Sequence, residues 1–293
     1  MSQKRLNKHL VVRTETALRT CAKDWACAGV TTAFVPTMGA LHEGHLTLVR
    51  LAKKKADRVI VSIFVNPTQF APGEDLEAYP RTEKTDVAML KDEGVDLIYI
   101  PKSSAMYNAH HATTVTVGGV ADGLETDHRP TFFDGVALVV TKLFNRVQPD
   151  IAIFGEKDYQ QLATIRRLVA DLDMPIKIIG APIARDKYGL ALSSRNKYFD
   201  AEGLALARQL NVIMKNCAKA ISAGGRLKRH TRNCEKALLK AGFDSVDYVS
   251  VANSKTLEII KGPKANVPSR LLIAAHCRGV RLIDNCAIRA VKD

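Results

Sequence analysis

The stretch Thr31–His45, TTAFVPTMGALHEGH, decides the fold. Its opening, TTAFVP, is a short apolar run rich in strand formers, and it ends at a proline. Gly39 and Gly44 let the backbone turn sharply and approach a ligand. Residues 46–56 then carry Leu48, Leu51, Ala52 and Lys55 at helical spacing. The first-turn N–H groups of such a helix have no intrahelical partner and suit an anion. His42 and His45, one helical turn apart, can both address it. By itself a strand–turn–helix with a glycine is common, and histidines at a turn are more often surface residues. A metal reading is weaker still: no Cys or second His pair follows at zinc spacing, and His110 and His111 stand in a polar loop. The rest of the chain must decide.

With 293 residues, 46% hydrophobic and 25% charged, the chain has the material for one large or two ordinary globular domains. No apolar run reaches 18 residues, and the N-terminus lacks an apolar signal core, which points to the cytoplasm and away from a membrane. Cysteines 21, 27, 217, 234, 277 and 286 form no CxxC pair and read as reduced thiols. The net charge of +13 is unevenly placed: residues 1–183 contribute +1 and residues 184–293 contribute +12. A basic C-terminal third faces either nucleic acid or an anionic small molecule. Outside Arg226–Arg232 the basic residues are spread singly with few aromatics between them. That pattern favours a solvated surface with a polyphosphate-facing part over a nucleic-acid groove.

Working outward, residues 9–29 read as an amphipathic helix and Arg58–Val65 as a strand buried on both faces, completing a right-handed βαβ unit. Asn66-Pro67-Thr68-Gln69-Phe70 follows at that strand's carboxyl end. There Asn66 and Gln69 suit a hydroxyl or carboxylate, or simply make a polar turn around Pro67. Residues 74–93 read as a charged loop and a surface helix, 96–100 as a strand, and 102–128 as loop with an edge strand at 113–117. Gly135–Arg146 has the spacing of a packed helix. The strand Ile151–Phe154 runs into Gly155-Glu156-Lys157-Asp158 and a second helix. Lys157 can neutralise phosphate, and Asp158 can hold a ribose hydroxyl or magnesium, or merely cap the helix. After a strand at 177–182, the loop 185–196 offers Ser193, Ser194 and Arg195, groups suited to polyphosphate. Helices are expected over 201–222 and 227–241, strands over 245–251 and 270–276, and a terminal strand pair over 280–290.

The segments VPTMGALHEGH, SIFVNPTQF, YPRT, RP-x-x-F-x-GV, QPDIAIFGEKDYQQL, GLALSSRN and RLIDN, kept in this order across roughly residues 30–290, resemble the pantoate–β-alanine ligase family of the nucleotidyltransferase superfamily with its His-x-Gly-His signature. The resemblance implies an α/β fold: a Rossmann-like parallel-sheet domain over 1–183 that binds nucleotide and pantoate, and a smaller α+β lid over 184–293. It implies a homodimer with no nucleic-acid or membrane partner. It implies that ATP, with Mg2+ on its phosphates and Asp158 as a further oxygen, activates pantoate as an acyl adenylate that β-alanine then attacks.

Carried onto this chain, Met38, Gly39, Ala40, Leu41, His42, Glu43, Gly44 and His45 resemble the ATP-binding turn, with His42 and His45 near the phosphates as catalytic groups and His45 the candidate proton donor. Gly155, Glu156, Lys157 and Asp158 resemble the ribose and phosphate turn, and Ala184 an adenine contact. Leu192, Ser193, Ser194 and Arg195 resemble a phosphate-gripping loop, with Lys157, Ser193, Ser194 and Arg195 among the catalytic groups. Gln69 resembles a contact to pantoate and β-alanine, Gln161 a second pantoate contact, and Asn66, Tyr79 and Arg129 further contacts. One departure is visible: Phe132 stands where the family usually has histidine, removing a titratable group. A related adenylate-forming enzyme acting on another small acid, and a basic nucleic-acid-binding protein, are the alternative readings.

Overall fold

A computed structural model describes residues 10–70, 73–261 and 267–288. The chain divides into two compact units. The first holds residues 10–117, 129–156 and 164–182, and the second 118–128, 157–163 and 183–288, as far as they are described.

The first unit is built on a six-stranded, all-parallel sheet. Its strands are β1 (Leu10–Val12), β2 (Thr32–Thr37), β3 (Arg58–Ile63), β4 (Leu97–Tyr99), β5 (Ile151–Gly155) and β6 (Lys177–Ala181), in the order β1-β4-β3-β2-β5-β6. In chain order the helices are α1 (Glu15–Cys27), α2 (Glu43–Lys53), α3 (Glu83–Asp92), the short α4 (Ser103–Met106) and α5 (Glu125–His128), α6 (Phe132–Val147) and α7 (Tyr159–Asp171). Of these, α5 belongs to the second unit and α7 begins there. Helices cover the sheet on both faces, which is why its strands read as nearly continuous apolar runs. Ala33 and Val35 of β2 join Val49 and Ala52 of α2 and Leu90 of α3 in one core, while Phe34 meets Phe144 of α6 edge-on at 6.3 Å.

Three expectations change here. Residues 9–29 are not one helix: Leu10–Val12 pair with β4, and Thr14, accepting from the Ala17 N–H, caps a helix that starts only at Glu15. Residues 113–117 form no strand, because β1 already occupies the edge of the sheet beside β4. The helix at 83–92 is not merely a surface helix, since it buries Leu90 and, at 1% exposure, Asp86.

In the second unit, helices α8 (Ala201–Ser222) and α9 (Leu227–Ala241) pack on an antiparallel sheet of β7 (Ser245–Asn253), β8 (Ser269–Cys277) and β9 (Val280–Ile288). The expected terminal strand pair is the single strand β9, joined to β8 through Arg278 and Gly279 at positive φ; residues 289–290 lie outside the described residues. Residues 118–128 join this unit through Glu125, whose buried carboxylate accepts from the Tyr248 hydroxyl at 2.6 Å and from both terminal nitrogens of Arg281 at 2.8 and 2.9 Å.

Candidate active site

β2 and β5 are hydrogen-bonded neighbours, yet the chain leaves them in opposite directions across the sheet, to β3 and β4 on one side and to β6 on the other. Their carboxyl ends therefore define the topological switch point, where open α/β sheets bind ligands. Met38–His45 leaves the end of β2, and Gly155-Glu156 lies at the end of β5.

The histidine corner closes on itself. His42 is the N-cap of α2, and its Nδ1 accepts from the Gly44 N–H at 3.1 Å. The His42 N–H in turn donates to Nδ1 of His45 at 3.3 Å, and the two rings lie 4.2 Å apart. With Nδ1 accepting in both, each neutral ring carries its proton on Nε2. Two of the N–H groups at the start of α2, those of His42 and Gly44, are thus engaged by the imidazoles themselves. Preceding them, the Ala40 and Leu41 N–H groups are also committed, to the Asp86 carboxylate at 3.0 and 2.9 Å.

The turn after β3 is held as firmly. Asn66 is fully buried, and its Oδ1 accepts from the Tyr107 hydroxyl at 2.8 Å and from the Thr68 hydroxyl at 3.0 Å. Its Nδ2 donates to Gln69 Oε1 and to the Gly135 carbonyl, both at 3.1 Å. Asn66 is thus an internal bracket, and Gln69 is fixed with its oxygen inward and its NH2 group outward. Burial pushes the Tyr107 phenol up, against the pull of its hydrogen bonds to Thr68 and Asn66, which keeps it a donor. Gly135 is obligatory here, because a Cβ on it would stand 2.2 Å from the Thr68 carbonyl oxygen. Arg129 clamps Glu74 through two bonds of 2.6 and 2.7 Å and donates to the Gln69 carbonyl at 2.9 Å. Phe132 lies under that guanidinium, 3.8 Å from ring centroid to Cζ, and acts as a cation–π seat. Tyr79 is 5% exposed and packs edge-on against Phe70 at 5.7 Å, inside the wall of the turn.

Within the second unit, Lys157 Nζ approaches the Asp158 carboxylate at 3.4 Å, and the Lys157 carbonyl accepts from Asn285 Nδ2 at 2.9 Å. Gln160 is spent structurally, accepting from the Glu125 N–H and donating to the Gly123 carbonyl, each at 3.1 Å. Gln161, next in sequence, lies in α7 with a half-buried side chain. Ala184 and Leu192 are brought together by a 2.9 Å backbone bond, and Ser193 caps the short helical turn Ser194–Tyr198 through the Arg195 N–H. That loop is anchored by Arg185 on the buried Asp284, at 2.6 and 2.8 Å. Asp86, Asp284 and Asn285 escape sequence reasoning as framework residues. Their only local signals are a Thr-x-x-x-Asp spacing at the start of a helix and the unexplained RLIDN segment.

Known proteins resemble this chain over nearly its whole length. The family model described as pantoate-beta-alanine ligase matches residues 10–287. The pantothenate synthetase of Mesorhizobium japonicum is 52% identical over 275 residues, 94% of this chain and 96% of that protein. The one from Caulobacter vibrioides is 50% identical over 95% of this chain and 98% of its own length. Among solved structures, pantothenate synthetase from Thermus thermophilus superposes with a TM-score of 0.87 at 39% identity, covering 95% of this chain and 99% of that one. Pantoate-beta-alanine ligase from Francisella tularensis, complexed with beta-gamma ATP and beta-alanine, gives 0.81 at 31% identity over 96% and 98% of the two chains.

Proposed function

The chain belongs to the pantoate–β-alanine ligase family, and we infer that, as a ligase joining pantoate to β-alanine with ATP, it works through a pantoyl-adenylate intermediate. A carboxylate is a poor acyl donor. Attack of its oxygen on the α-phosphorus of ATP, with departure of pyrophosphate, converts that oxygen into part of a good leaving group. The amine of β-alanine then attacks the acyl carbon, AMP leaves, and the amide forms. The protein's contribution to both steps is positioning and charge neutralisation.

The observation that carries this reading is the pair of locked donor turns on adjoining strands of one sheet. In our assignment Nε2–H of His42 and His45 address the phosphates, with His45 the catalytic donor. Gln69, oriented by Asn66, offers its NH2 group to the pantoate carboxylate or hydroxyls, and Gln161 supplies a second contact. Gly155–Asp158 hold ribose and phosphates, Ala184 meets the adenine, Leu192 belongs to the phosphate-gripping loop, and Lys157, Ser193, Ser194 and Arg195 neutralise phosphate charge. Mg2+ fits this donor set as an ion bound chiefly by phosphate oxygens, with Asp158, a half-exposed carboxylate, as a protein ligand. It would supply charge neutralisation at the phosphates. A homodimer in the cytoplasm, with a Rossmann-like domain over 1–183 and a lid over 184–293, completes the reading on the strength of the family resemblance. No helix among the described residues is long and apolar enough to cross a membrane.

The test is formation of AMP and pantothenate from ATP, pantoate and β-alanine, with each substrate omitted in turn. We expect AMP to require pantoate, and pantothenate to require all three. AMP release without pantoate, or no turnover with the complete set, would overturn the assignment.

A further inference from the structure

We propose that Asp86, together with Thr82, is the positioning residue of the histidine corner. It acts on the reaction without touching substrate, by fixing the backbone that carries His42. The proposal rests on the function assigned above.

Asp86 is 1% exposed and lies on the inner face of α3, beneath the loop that leaves β2. Its Oδ2 accepts from the Ala40 N–H at 3.0 Å and its Oδ1 from the Leu41 N–H at 2.9 Å. The Thr82 hydroxyl donates to both oxygens, at 3.1 and 3.2 Å. Two consecutive backbone N–H groups converging on one anion form a concave nest of the kind that elsewhere grips a phosphate. Here an internal carboxylate fills it. The backbone shape is otherwise unfavourable: Gly39 has φ +80° and Ala40, with a side chain, φ +50°. A left-handed non-glycine residue persists only where its surroundings over-determine it. Gly39 is also closely approached, since a Cβ there would lie 3.1 Å from Asp86 Oδ2 and 3.2 Å from Ile63 Cγ2.

Two residues after Ala40 the chain reaches His42, whose N–H fixes the His45 ring and whose own ring is fixed by Gly44. The tautomers of both imidazoles therefore depend on where the His42 backbone is placed. The carboxylate is the right group for this task because each oxygen takes one N–H. An amide of the same shape turns an NH2 group toward one of the two, donor against donor. The YPRT segment of the sequence thereby acquires a role: Tyr79 packs in the wall beside Phe70, and Thr82 orients Asp86.

The experiment compares Asp86→Asn, Thr82→Val and Thr82→Ser in the full-length protein. For Asp86→Asn we expect kcat/KM for ATP to fall about 100-fold, the order expected when reacting groups are misplaced by about an ångström, with the KM for pantoate changed less than about 3-fold. Thr82→Val should show the same split at about 10-fold or less, and Thr82→Ser, which keeps the hydroxyl, should restore it. A readout independent of turnover is the 15N spectrum of the ring nitrogens. The native corner should show protonated Nε2 and unprotonated Nδ1 on His42 and His45, and the Asp86→Asn and Thr82→Val proteins should lose that pattern. Should Asp86→Asn fail to fold, Thr82→Val carries both measurements. Native ring spectra in the folded Asp86→Asn or Thr82→Val protein overturn the proposal even where the ligase assignment stands, as does a rise in the KM for pantoate as large as the fall in kcat/KM for ATP. An inactive native enzyme with the expected ring spectra overturns the ligase assignment and leaves the positioning role intact.

Discussion

The turn after β2 and the turn after β3 leave adjacent strands of the same sheet and solve one problem with different chemistry. In the first, two imidazoles are tied down through Nδ1, so the proton sits on Nε2. In the second, the Gln69 amide is tied down through its oxygen by Asn66, so the NH2 group faces outward. Each turn takes a side chain that is donor at one end and acceptor at the other and uses an internal bond to consume the acceptor. Each corner keeps a donor out of that bond, which is what the partners proposed above, a polyphosphate and a carboxylate, require. The difference is in the support. The histidine turn rests on a buried carboxylate, the glutamine turn on a neutral Asn–Tyr–Thr network with an arginine clamp outside it.

The largest effect should come from removing a donor outright. His45→Ala should slow adenylate formation by about two to four orders of magnitude, read as pantoate-dependent ATP–pyrophosphate exchange, whereas exchange near the native rate would take His45 out of the chemistry. A smaller effect should follow from reversing the polarity of the second turn. In Asn66→Asp the carboxylate cannot donate to Gln69 Oε1 or to the Gly135 carbonyl. Leaving such groups unpaired is worth about 1–3 kcal/mol, so the KM for pantoate should rise roughly 10- to 100-fold while that for ATP barely moves. A parallel rise in both would mean that the two turns are not separable.

Phe132→Leu probes the outer clamp. Loss of the ring beneath Arg129 should lower stability by about 0.5–2 kcal/mol, seen as a drop in Tm, with the Glu74 ion pair retained. An unchanged Tm would show that the ring fills space without seating the guanidinium. The smallest effect concerns the second unit and leaves both turns intact. Burial pushes the Cys277 and Cys286 thiols up to about 11 from an ordinary value of 9.0. Between those values the unfolded chain has released protons that the native chain still holds, so stability falls as pH rises from about 9 to 11. Replacing both by Ser should flatten that slope in urea titrations at pH 8 and pH 10 without changing the KM for either substrate.

Much of this was legible from residues alone. The strand–turn–helix at Thr31–Lys53 was readable because β-branched and aromatic runs, turn glycines and helical spacing all agreed there. The helices Ala201–Ser222 and Leu227–Ala241 emerged with the expected bounds for the same reason. At Leu10–Val12 local reasoning failed: three residues with no turn between them and a following helix are a strand only because β4 offers an open edge.

Local pattern therefore determined the individual strands and helices around the histidine and glutamine turns and the residue types those turns carry, because each of these depends on neighbours within a dozen residues. Tertiary structure alone decided what braces those turns from a distance. Asp86 lies 46 positions beyond Ala40, and Gly135 lies 69 beyond Asn66. No local periodicity reports a bond that closes over such a distance, and such bonds brace the backbone on which the short-range bonds to the imidazoles and the amide are made.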